Sequence, residues 1–138
     1  MSRVVVLDCE AVHALASSTH PHHRRVVAHM QVVADRKRKA RRILAVVPTA
    51  VRVEANLDRA APRARFFNSL RIGDLPLDGP TANIAAELHR RHTVSVPDAH
   101  VGAAVASFNV DDDITVITSD PQDMRRVADD TKIAIIKL

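Results

Sequence analysis

Arg3-Val4-Val5-Val6-Leu7-Asp8 is a short, mostly β-branched run that begins at a cation and stops at an acid. An unbroken apolar row of this length suits a strand covered on both faces, because a strand with one wet face alternates apolar and polar residues. Four more runs of this kind follow, at 43–47, 71–77 (the weakest), 114–118 and 133–138. Between them apolar residues recur at helical spacing over 10–16, 21–42, 49–60, 62–70, 81–92, 99–108 and 121–130. Strands that alternate with helices need crossover connections. The expected fold is therefore α/β: three α/β/α layers around a central parallel sheet of about five strands.

The 138 residues, 46% apolar and 26% charged, can bury one core, so a single domain over 1–138 is expected and disorder is excluded. No apolar run approaches the roughly 18 residues that span a bilayer, so no membrane partner is expected. Met1-Ser2-Arg3 leads straight into the first strand with no signal-like segment, and Cys9 is the sole cysteine. Both features suit a reducing, cytoplasmic setting. The balance of 20 Lys and Arg against 16 Asp and Glu, net +4, favours an anionic partner such as nucleic acid. With only Phe66, Phe67 and Phe108 as aromatics, RNA recognition by a base-stacking sheet is improbable. No GxxxxGK[ST], GxGxxG or GxSxG motif occurs, so ATPase, dinucleotide-binding and α/β-hydrolase readings lack their signatures.

Ligands of open parallel sheets bind beyond the carboxyl ends of the strands. There the first strand exits in Leu7-Asp8 and the fourth in Thr118-Ser119-Asp120. Asp8 and Asp120 each precede a helix, and an N-cap role would explain either one alone, most plainly in Ser119-Asp120-Pro121. Asp98, in Val96-Pro97-Asp98-Ala99, is an ordinary helix-start residue by itself. Glu54 is harder to explain structurally. In a helix over 49–60 its neighbours one turn away are Ala50, Val51, Leu57 and Asp58, with no cation to pair it.

A parallel sheet would bring all four acids to one edge. Crowded carboxylates either take up protons or gather a cation. Oxygen donors without cysteine select a hard divalent ion, Mg2+ or Mn2+, which can activate water and polarise a phosphoryl oxygen. An acidic metal site on a basic chain points to phosphodiester hydrolysis.

The order Asp8, Glu54, Asp98, Asp120 carries a resemblance, together with Val47-Pro48-Thr49-Ala50-Val51-Arg52-Val53-Glu54, Pro97-Asp98-Ala99 and Thr118-Ser119-Asp120-Pro121-Gln122-Asp123. Over nearly its whole length the chain resembles a PIN domain, in particular the short bacterial PIN proteins of the VapC toxin type. The resemblance implies a Mg2+- or Mn2+-dependent endoribonuclease, often homodimeric, in toxin-antitoxin pairs also bound by a protein antitoxin. It implies Asp8 and Asp98 as principal metal ligands and Glu54 as a direct or water-mediated ligand that helps orient the nucleophile. Asp120 would complete the cluster, Asp123 would act from the outer sphere, and Ser119 would hydrogen-bond within the site. The sequence departs from the pattern at Cys9 and Glu10, where family members often carry a small hydroxyl or amide residue, and at Ser95, where many have a further acid. Glu10 thus either adds a carboxylate or faces solvent.

Eight basic residues fall between Arg24 and Arg42, against Asp35 alone. With Val26, Met30, Val33 and Ala34 as the buried stripe, the cations project outward. Arg36, Lys37, Arg38 and Lys39 are the candidate RNA phosphate contacts, the alternative being a plain solvated face. His20, His22 and His23 read as a loop, and His89 with His92 as a weak metal candidate. Two non-catalytic alternatives stand beside the nuclease: a phospho-acceptor-like regulator, which also gathers acids at strand ends, and a degenerate PIN module that binds RNA without cutting it.

Overall fold

In the computed structural model the described residues are 2–38 and 43–138, residues 36–38 by backbone alone. They form a five-stranded, all-parallel sheet with seven α-helices, consistent with three α/β/α layers. The strands are β1 (Arg3–Leu7), β2 (Ile43–Pro48), β3 (Gly73–Leu75), β4 (Asp113–Thr118) and β5 (Ala134–Lys137). The helices are α1 (Cys9–Ala16), α2 (His23–Arg38), α3 (Thr49–Glu54), α4 (Arg65–Ser69), α5 (Gly79–His92), α6 (Val96–Ala106) and α7 (Pro121–Ala128). A 3-10 turn, Pro62–Ala64, leads into α4.

The spatial order is β3-β2-β1-β4-β5. The chain steps outward twice from β1, then jumps back to pair β4 with the other side of β1, in register Arg3↔Asp113 to Leu7↔Ile117. Strand order therefore reverses between β1 and β4, and in open parallel sheets ligands bind beyond the carboxyl ends of the strands at such a point. Crossovers of parallel strands are right-handed, which puts helices of the first two connections on one face and α5, α6 and α7 on the other. In keeping, α1 and α2 lie against β4 and β2, while α5, α6 and α7 pack on one another.

The core runs through both faces, from Val4, Val6 and Leu7 of β1 to Val116 and Ile117 of β4, closed by Leu15, Met30, Phe67 and Met124. In α6 every residue from Ala99 to Val105 is buried, and small side chains let it sit deep between its neighbours. Gly102 requires this: a Cβ there would stand 2.7 Å from Leu88 Cδ1 and 2.7 Å from the Val127 carbonyl oxygen.

The strands fall within the expected ranges or extend them by a residue. Helix ends differ more. The helix expected over 49–60 stops at Glu54, because Asn56 adopts φ 55° and closes a Schellman-type end. The Leu57 N–H donates to the Arg52 carbonyl (2.9 Å) and the Asn56 N–H to the Val53 carbonyl (3.1 Å). At the other extreme α6 starts at Val96, three residues early, since Ser95 caps it and Pro97 fits its first turn. Of the helix expected over 21–42, the final residues 39–42 lie outside the described residues.

Candidate functional site

Asp8 ends the central strand and begins α1, and its carboxylate is fixed from two sides. Oδ1 accepts the Cys9 N–H (2.7 Å), the N-cap bond, and Oδ2 accepts the Thr118 hydroxyl (2.7 Å) from the end of β4. Only 6% of Asp8 is exposed, and Thr118 is fully buried. Burial pushes the Asp8 carboxyl above its usual range, the charges of Glu54 and Asp120 add to the rise, and the two hydrogen bonds oppose it.

Thr118 carries a second bond, accepting the Asp120 N–H (2.9 Å), so one hydroxyl ties the β1 acid to the backbone of the next. Asp120 is itself an N-cap and accepts the Asp123 N–H (3.3 Å) in α7. The cap explanations for Asp8 and Asp120 therefore hold, and both capping acids stand just beyond the carboxyl ends of β1 and β4. Ser119, the hydroxyl expected in the site, is exposed; the hydroxyl that meets Asp8 is its neighbour Thr118. The available signal was a hydroxyl at the last position of the strand, two residues before an acid.

Asp98 sits in the first turn of α6, half-buried, with its N–H donated to Ser95 Oγ (3.2 Å). Burial and the charges of Asp8, Asp123 and Glu54 push its carboxyl up to about 6, against the pull of the Ser95 hydroxyl. Glu54 is the exposed last residue of α3, so Asp58 lies beyond the helix end and not one turn along it. The Glu54 carboxylate faces the Cys9 thiol, and burial together with that acid pushes the thiol up to about 12. Cys9 is thus a neutral, unreactive neighbour of the acids.

The four sequence-selected acids are electrostatic neighbours: Asp8 with Glu54 and Asp120, Asp98 with Asp8 and Glu54. Among the described residues none of the four takes part in an ion pair. Asp123 differs, because Arg126 pairs with it at 3.1 Å. Among the described residues no three His, Cys, Asp or Glu side chains already form an ion-binding group. The donor chemistry fits a hard divalent cation nonetheless: all-oxygen, partly desolvated and without a compensating cation among those residues.

Other candidates find structural partners. Glu10 pairs with His20 Nε2 (2.5 Å), and His20 Nδ1 accepts the His22 N–H (3.0 Å), so this acid anchors the loop between α1 and α2. His89 Nδ1 meets the Val94 carbonyl (2.6 Å) and His92 Nε2 meets Asp129 (3.0 Å). Arg24 and Arg25 of α2 are exposed opposite buried Val26, Met30 and Val33, while Ala34, the fourth residue of the expected stripe, is only half-buried. Of the phosphate-contact candidates, the side chains of Arg36, Lys37 and Arg38 and the whole of Lys39 lie outside the described residues.

No family model matches the chain, and no curated protein matches it. No helix among the described residues is long and apolar enough to cross a membrane.

Proposed function

We propose that the chain is a Mg2+- or Mn2+-dependent endoribonuclease of the PIN-domain, VapC-toxin kind, with RNA as substrate. The observation that carries this reading is that Asp8 lies within reach of the charges of Glu54, Asp98 and Asp120, with none of the four ion-paired among the described residues. A bound divalent cation would supply a water acidic enough to attack phosphorus near neutral pH, and a positive charge for the phosphoryl oxygens.

The chain's own residues have distinct tasks. Asp8, locked by Thr118 and the Cys9 N–H, offers a carboxylate that loses little ordering entropy on binding a cation. Asp98, with its carboxyl raised to about 6, gives up its remaining proton when positive charge arrives. Glu54 and Asp120 are exposed, which suits ligands that also orient or deprotonate a water. Arg24, Arg25 and the segment 36–39 would hold the phosphate backbone without reading bases.

The phospho-acceptor alternative loses its best candidates outside this cluster. Asp74 is held by Arg52 (3.2 Å) and Arg59 (3.0 Å), and Asp78 caps α5. The toxin reading adds a protein antitoxin and a second copy of the chain as partners, and a cytoplasmic setting. The decisive experiment follows cleavage of labelled RNA by the purified chain with Mn2+ or with a chelator. Cleavage should require the metal, and Asp98→Asn should abolish it while circular dichroism stays unchanged. Cutting in chelator, or undiminished cutting by the variant, would overturn the reading.

A further inference from the structure

Among the described residues the buried polar side chains are Asp8, Thr118 and His100. The first two bond to each other, which leaves an imidazole with no solvent exposure on α6, two residues beyond Asp98. Its Nδ1 accepts the N–H of Ala50 (3.2 Å) in the first turn of α3. That turn has an unmet need. The first N–H groups of a helix have no partners inside it, and a capping side chain normally accepts one. Here the capping position holds Pro48, which makes no side-chain cap bond. The missing acceptor comes from a different helix.

The consequence concerns Glu54. A six-residue helix has little stability of its own and takes its position from what it is tied to. Glu54 is the last residue of α3, and Asp98 and His100 share the first turns of α6. We propose that His100 is a positioning residue for the Glu54–Asp98 pair: its Nδ1 caps α3 from α6 and sets how the two carboxylates face each other. Accepting through Nδ1 places the ring proton on Nε2 in the neutral imidazole. Nε2 is buried, and the backbone carbonyl of Pro76, in the loop after β3, is the acceptor that faces this ring, which suits a proton on Nε2 and leaves Nδ1 to Ala50.

The cap is independent of the nuclease reading, and only its effect on a bound cation rests on that reading. The test compares two amides in the same buried place. His100→Asn puts a carbonyl oxygen near the position of Nδ1, whereas His100→Gln puts its amide near Nε2 and leaves Ala50 without an acceptor. By Mn2+ titration with electron paramagnetic resonance, the Gln variant should bind about tenfold more weakly and the Asn variant close to wild type. In RNA cleavage the Gln variant should need correspondingly more Mn2+, with kcat at saturating metal largely kept. Hydrogen exchange at the Ala50 amide should speed up in Gln and not in Asn. Equal Mn2+ affinity and equal Ala50 exchange in the two variants would overturn the proposal.

A measurement on the unmutated chain covers the case in which both variants misfold. The imidazole nitrogen shifts should report a proton on Nε2, and a proton on Nδ1 would overturn the cap directly. A wild-type chain that neither binds Mn2+ nor cuts RNA would refute the nuclease reading, while tautomer and exchange would still decide the role of His100.

Discussion

A single hydroxyl governs how Asp8 can behave. Thr118 donates to its Oδ2 from a fully buried position, in a pocket where the carboxyl is already pushed upward by burial. Thr118→Val keeps the shape and removes the donor, which should cost about 1–3 kcal/mol at neutral pH. The loss should shrink in acid as Asp8 takes up a proton, and Thr118→Ser should retain most of the stability in a urea titration. Asp98 gives a prediction with a definite sign. Its folded carboxyl is raised from 3.8 to about 6, so the native state holds the proton more tightly than the unfolded chain. Between those values the group's contribution to stability falls as pH rises, and above about 6 its ionisation is a net burden. In chelator at pH 7.5, Asp98→Asn should therefore be more stable than the parent, by about 1 kcal/mol once solvent screening is allowed for. Near pH 4 the advantage should vanish, and a thermal melt series with no pH trend would contradict the assignment.

At the scale of elements, helix packing sets the tolerances. Gly102 lets α6 press against both α5 and α7, and its crowding is partly with backbone, the Val127 carbonyl. Gly102→Ala should cost about 1–3 kcal/mol despite alanine's better helix propensity, because a helix must move. A melting temperature unchanged or raised by this substitution would refute the close approach. The elements also show what can be read from the chain alone. β-Branched rows placed four of the five strands, because a row such as Val4-Val5-Val6-Leu7 has few other uses, while β3, Gly73-Asp74-Leu75, has no β-branched residue and lies inside the weakest run. The end of α3 and the start of α6 escaped the same logic, since both are set by single residues: Asn56 by taking a left-handed conformation and Ser95 by capping. The acids were legible at the strand exits because topology puts those exits together. Thr118 and His100 were not, because their roles consist of hydrogen bonds to Asp8 and Ala50, partners 110 and 50 residues away.

For the molecule as a whole, charge is the property that reaches furthest. Arg36, Lys37, Arg38 and Lys39 equal in number the net charge of +4, so neutralising all four (+4 − 4) brings the chain to zero. If this segment grips phosphates, binding of single-stranded RNA should weaken evenly across sequences. The slope of log K against log salt should then flatten by about 0.7 for each phosphate no longer held. A weakening confined to one sequence would indicate base readout by these residues.

The pairing of β1 with β4 has one more outcome. Arg3 waits for Asp113 and Leu7 for Ile117, so β1 finds one of its two neighbours only after 110 further residues have been synthesised. Such long-range closure is slow. It also delays the bond between Asp8 and Thr118, so a nascent chain on the ribosome carries Asp8 with only the Cys9 cap to aim it until β4 has emerged.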